Sequence, residues 1–165
     1  MSKGKHQQFR KATLMANTID TIKLSEKQKQ QLIRLKTKTG IENWNVLCRW
    51  ALCMSLAEDT VPPVEEIPSD SNVEMSWKVF AGEYSDVYLA VLRQTYEKQK
   101  AHLDDVLFSD FLKLHINRGI GYFLKSNTKF KLKWLHSKSK LLKLLKPFCF
   151  VYAEYSQSSI GRNWW

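Results

Sequence analysis

The chain has 165 residues, 44% of them hydrophobic and 12% aromatic, which suits one folded domain with its own core and excludes a largely disordered chain. Lys and Arg outnumber Asp and Glu by 26 to 16, and no apolar run approaches the roughly 20 residues of a membrane span. The charged N-terminal stretch lacks the apolar segment of a secretory signal, so a cytoplasmic protein with no membrane attachment is expected.

The charge is partitioned. Residues 1–40 hold ten basic residues against two acids, residues 58–86 hold eight acids against Lys78, and residues 113–146 hold ten bases and no acid. Basic blocks of this kind suggest phosphate contact; the bland alternative is a solvated face that keeps the protein soluble.

Taken in order, residues 1–18 read as a flexible basic arm. A short strand follows, with Ile22 and Leu24 on one side and Thr21, Lys23 and Ser25 on the other. Ser25 with Gln28 three residues on is a capping-box signature. The helix it opens places Leu32 and Leu35 inward, with Ile33 beside them, and shows Lys27, Lys29, Arg34, Lys36 and Lys38 to water until Gly40 ends it. A second helix, from about Asn45 to Leu56, is so densely apolar that it must be largely buried. Residues 59–75 contain three of the four prolines and no helical period, and read as an acidic loop.

The second half echoes the first. Trp77 and Val79 alternate like a strand that turns at Gly82, and a helix then starts near Ser85, capped by Ser85 or Asp86, with Tyr88 and Leu92 inward. A further helix starts near Asp104 and frays around Asn117–Gly121. The predicted fold class is mainly α: a compact helical domain with short strands, a repeated strand–helix–helix order and a ribbon-helix-helix-like topology, in which the two strands can pair within one chain. Beyond Gly121, residues 129–146 alternate at first and then carry Leu141, Leu142, Leu144 and Leu145 in a short amphipathic pattern. Such a basic segment lies on a membrane or DNA, docks on a partner, or packs on its own core with lysines outward.

No motif for catalysis, metal or cofactor stands out. Cys48, Cys53 and Cys149 suit a reducing compartment, with the thiols acting as small hydrophobes. The five-residue spacing of Cys48 and Cys53, with no His pair following, does not fit zinc. His115 among apolar residues reads as a core histidine, and adjacent Asp104 and Asp105 as a helix start. A non-enzyme without cofactor is expected.

Certain runs resemble the DndE family of the bacterial DNA phosphorothioation system. They are the basic helix ending in TG, the Asn45–Glu58 run, FAGE at 80–83 and HINRG at 115–119, together spanning roughly residues 19–124. Residues 1–18 and 125–165 look like additions. The resemblance implies a small helical, homotetrameric protein that binds duplex DNA, preferably nicked, alongside DndC and DndD, while partner proteins perform the sulfur chemistry.

Within that frame the candidate DNA-binding residues are Lys23, Lys27, Arg34, Lys36, Lys38, Asn43, Arg49, Asn117 and Arg118. Lys27, Arg34 and Lys38 fall near one helical stripe, whereas Lys36 lies about 160° from Arg34 and serves another protomer or only solvent. Thr39, Gly40 and Asn43 offer backbone N–H groups ahead of the second helix. Arg49 either reaches DNA through a gap or satisfies a buried acid at an oligomer contact. Asn117 and Arg118 form a second contact, or else a helix C-cap with Gly119 left-handed. Two other readings stay open: a ribbon-helix-helix repressor reading bases through Thr21, Lys23 and Ser25, and an assembly subunit that does not bind DNA.

Overall fold

The computed structural model describes residues 19–103 and 106–125. The N-terminal arm, Asp104 and Asp105, and the segment after Lys125 lie outside the described residues. Two strands, β1 (Thr21–Lys23) and β2 (Glu74–Ser76), and five helices make up the fold: α1 (Glu26–Thr39), α2 (Trp44–Leu56), α3 (Trp77–Ala81), α4 (Ser85–Gln99) and α5 (Phe108–Lys125). Short 3-10 turns at Gly82–Tyr84 and Lys100–His102 flank α4.

The first half forms as its sequence dictates. Ile22 and Leu24 are buried in and just after β1 while Thr21 faces water. Ser25 caps α1 in a complete capping box: its Oγ accepts from Gln28 N at 3.2 Å and its N–H donates to Gln28 Oε1 at 2.9 Å. That engagement buries Ser25, so it does not join Thr21 on the open face of the strand. At the other end Gly40 takes φ 71°, a left-handed conformation that glycine adopts without a Cβ penalty, and its N–H closes on Lys36 O. Leu32 and Leu35 are fully buried; Ile33, one residue around the helix, is 41% exposed.

The strands do pair within the chain, antiparallel, with Thr21 opposite Ser76, Ile22 opposite Met75 and Lys23 opposite Glu74. The second strand, however, ends at Ser76, just ahead of the residues whose alternation reads as a strand. Residues 77–81 are helical, because Ser76 caps them through a bond to Val79 N and the buried residues Trp77, Phe80 and Ala81 fall at i, i+3 and i+4. Val79, read from sequence as an inward strand residue, is exposed. Ser85 is not a cap either: its Oγ accepts from Trp77 Nε1 at 2.8 Å, and Tyr84 holds the cap position. In α4 the expected face is buried, led by Tyr88 and Leu92.

The last helix begins at Phe108, later than expected, which leaves Leu107 exposed, and it runs unbroken through Asn117–Gly121 to Lys125. Gly119 is thus no left-handed cap. It is the point where α5 crosses α2, the pair of helices with the most extensive packing: a Cβ there would stand 1.8 Å from the backbone oxygen of Ala51. Around this crossing lie Leu47, Leu52, Phe111, Ile116 and Ile120, with Trp50 stacked on Phe123 at one end.

The acidic loop is fastened to the fold. Leu24 N donates to Val73 O, Ser71 Oγ donates to Leu24 O at 2.7 Å, and Asp70 accepts from the first N–H of α1, that of Glu26, at 2.8 Å. A carboxylate at a helix N-terminus is favourably placed.

Candidate nucleic-acid interface

α1 presents the basic face. Its buried side is fixed by Gln28, Leu32 and Leu35, which forces Lys27, Arg34 and Lys38 outward on one stripe, and all three are exposed. Lys27 and Arg34 make no ion pair or hydrogen bond among the described residues. Lys29 is paired with Glu26 at 3.2 Å. Lys38 Nζ approaches the backbone oxygen of Leu124 at 3.4 Å, so the end of α1 meets the C-terminal carbonyls of α5, where a cation is electrostatically favoured.

The other candidates are held in different ways. Lys36 is half-buried with its ammonium 4.3 Å from the centre of the Trp44 ring, a cation–π contact across the Gly40 turn, and so it serves neither solvent alone nor the stripe. Sequence reasoning missed Trp44 here; the signal was a large aromatic eight residues after a lysine across a helix–turn–helix corner. Lys23 is half-buried on β1, opposite Glu74. Asn43 is exposed at the N-cap position of α2 without a side-chain cap bond. In the turn, the N–H of Gly40 goes to Lys36 O and that of Ile41 to Thr39 Oγ1, which removes two of the backbone donors that an anion needs.

Arg49 is 2% exposed, so it does not reach the surface with the α1 cations. Its guanidinium lies beside Gly82, where a Cβ would stand 3.7 Å from Nη1, and that glycine has φ 60°. Burial pushes the neighbouring Cys48 thiol up to about 12, with Arg49 acting in the opposite direction, so Cys48 is a neutral thiol with little nucleophilic or metal-binding character.

Asn117 and Arg118 bind the protein itself. Asn117 accepts from Gln28 Nε2 and donates to Glu65, which extends the capping box into a chain of hydrogen bonds from Ser25 through α5 to the acidic loop. Arg118 donates through Nε to Ser55 Oγ and through Nη2 to Ser55 O, both at 2.8 Å, and through Nη1 to Thr60 O at 2.7 Å. Its donors are thereby committed to α2 and the start of the loop. These two residues clamp α5 to α2 and to the acidic loop.

The clamp also orients His115, which is fully buried with its Nδ1 2.9 Å from Ser55 Oγ. Arg118 donates to that same Oγ, so Ser55 links the arginine to the buried ring. Burial, helped by the nearby Arg118, lowers the His115 pKa to about 3. The folded protein therefore excludes a proton that the unfolded chain binds below pH 6.5. The resulting stability is complete above about pH 6.5 and is lost as pH falls toward 3, at up to about 1.4 kcal/mol per pH unit. Urea titrations at pH 7, 6, 5 and 4 should show this decline, and it should flatten in His115→Gln.

With this geometry in place, the sequence matches a family model described as DNA sulphur modification protein DndE, over residues 21–133. The chain belongs to the DndE family. The match takes in both strands and all five helices of the described residues and a short stretch of sequence beyond α5. Among solved structures, DndE from Escherichia coli B7A, involved in DNA phosphorothioation modification, is similar at 24% identity and a TM-score of 0.52, covering 64% of this chain and 97% of that one. A DndE G21/24K mutant involved in DNA phosphorothioation aligns at 19% identity and a TM-score of 0.47, covering 62% and 96% respectively. No curated protein matches the chain. The DndE fold is therefore shared nearly end to end with a crystal structure that lacks counterparts for about a third of this chain. Among the described residues no helix is long and apolar enough to cross a membrane.

Proposed function

We propose that within DNA sulphur modification, the process of its family, the chain is a non-catalytic cytoplasmic subunit that binds duplex DNA, preferably nicked, through backbone phosphates, as a homotetramer working beside DndC and DndD. The observation that carries the reading is the exposed stripe of Lys27, Arg34 and Lys38 on the outer face of α1, in a protein whose Arg49 is buried and whose Arg118 is bound to Ser55 and Thr60. Cations on one face of a rigid helix meet successive phosphates without reading base edges, so binding is weakly sequence-specific. A nick makes the duplex easier to bend and open, which favours a protein whose basic faces belong to more than one subunit.

The repressor reading draws less support. Ser25, one of its three base-reading residues, is buried in the capping box, and β1 pairs with the chain's own β2.

Gel shifts with intact, nicked and single-stranded DNA of one sequence across a salt series test the proposal. The expected order of affinity is nicked, intact, then single-stranded. With three phosphates neutralised per protomer, log K should fall against log salt with a slope of about −2.7 per protomer. Absence of a shift at low salt, or an affinity indifferent to salt, would reject it.

A further inference from the structure

One surface of the molecule is opposite in character to α1. Where the acidic loop passes over the start of α5, a groove of about 340 Å³ opens between Val64, Glu66, Ile67, Leu107, Asp110 and Leu114. Val64 and Leu107 are each 61% exposed, an unusual pair of large aliphatic residues left facing water on either side of one depression. Its rim is acidic: Glu66 is exposed, Glu65 is tied to Asn117, and Asp110 is paired with Lys113 at 3.2 Å. The floor is apolar and the rim negative, so the complementary ligand is a segment with leucines on one side and lysines on the other.

The chain itself contains one. Residues 129–146 hold seven lysines and no acid, with Leu141, Leu142, Leu144 and Leu145 grouped at the end. The reach is sufficient. From Leu114 to the end of α5 at Lys125 is about 17 Å along the helix axis, and residues 126–137 can extend about 40 Å. We propose that the leucine-rich part of this segment, residues 138–146, docks in the groove of its own chain, with its leucines against Val64, Leu107 and Leu114 and its lysines toward Glu66 and Asp110. The four lysines of residues 138–146 then lie against the acidic rim of the groove. The inference stands independently of DNA binding.

Zero-length carbodiimide coupling tests it on the full chain, with isotopically heavy and light protein refolded together in equal amounts and the products read by mass spectrometry. Docking in cis gives links from Glu66 or Asp110 to Lys138, Lys140, Lys143 or Lys146 within one isotopic mass. Links joining heavy to light chains would move the segment to a second copy and overturn the assignment; no link between these groups would overturn docking altogether. Hydrogen exchange supplies a second reading. Glu66→Lys with Asp110→Lys should speed exchange of the amides at 141–145 at least tenfold, and adding Lys140→Glu with Lys143→Glu should restore it. Unchanged exchange at 141–145 in the first variant would refute the proposal.

Discussion

Gly119→Ala should destabilise the fold by about 3 kcal/mol or more, while Gly121→Ala two residues away should stabilise it by about 0.5–1 kcal/mol. Both glycines lie inside α5, so helix propensity alone favours alanine at either position. The space around them differs. Next to Gly121 an added methyl meets no atom within 4 Å, whereas at Gly119 it would lie 1.8 Å from the oxygen and 2.4 Å from the carbonyl carbon of Ala51. Those are backbone atoms in the middle of α2 and cannot rotate away as a side chain end can. The helices must separate, and the buried contacts of Leu52, Phe111, Ile116 and Ile120 around the crossing separate with them. Urea denaturation followed by circular dichroism checks both variants. A Gly119→Ala midpoint within error of the unmodified protein would show that the helices do not cross as closely as described.

The same residue shows why some of the fold was legible in the sequence and some was not. Local signals read correctly wherever the structure is made by neighbours in the chain: Ser25 with Gln28 is a capping box, Gly40 is a left-handed stop, and Val46 through Leu56 form a buried helix. Local reading failed where a distant element decides. A glycine pair at 119 and 121 looks like the end of a helix until α2 is seen to need the missing Cβ. Trp77 and Val79 alternate like a strand, and only the burial of Phe80 and Ala81 reveals the helical face. The candidate site divides along the same line. Lys27, Arg34 and Lys38 could be placed from helical period because the inward side of α1 fixes the outward side. Arg49 and Arg118 could not, since an arginine in an apolar helix has the same sequence signature whether it faces a ligand or, like Arg118, reaches Ser55 and Thr60 some 60 positions earlier.

Reversing Arg34 and Lys38 together to Glu should lower affinity for nicked duplex at least tenfold at moderate salt while leaving the fold and the oligomer intact. Two phosphate contacts become two repulsions, and the salt slope should fall in magnitude by about 1.8 per protomer. Little stability is at stake. Arg34 is exposed without a hydrogen bond or ion pair among the described residues, and Lys38 gives up one long, exposed contact to Leu124 O at 3.4 Å. Lys78→Glu with Lys98→Glu is the matched control. It changes net charge equally, on exposed positions of α3 and α4, so it separates loss of a binding face from loss of a general attractive field. The control should retain affinity within about threefold. Arg118→Glu, by contrast, would remove binding uninformatively, because it breaks the clamp on Ser55 and Thr60 and leaves a carboxylate against the loop. Equal losses in the α1 variant and the control would place recognition in the overall charge of the chain and not in the helix that begins at the Ser25 cap.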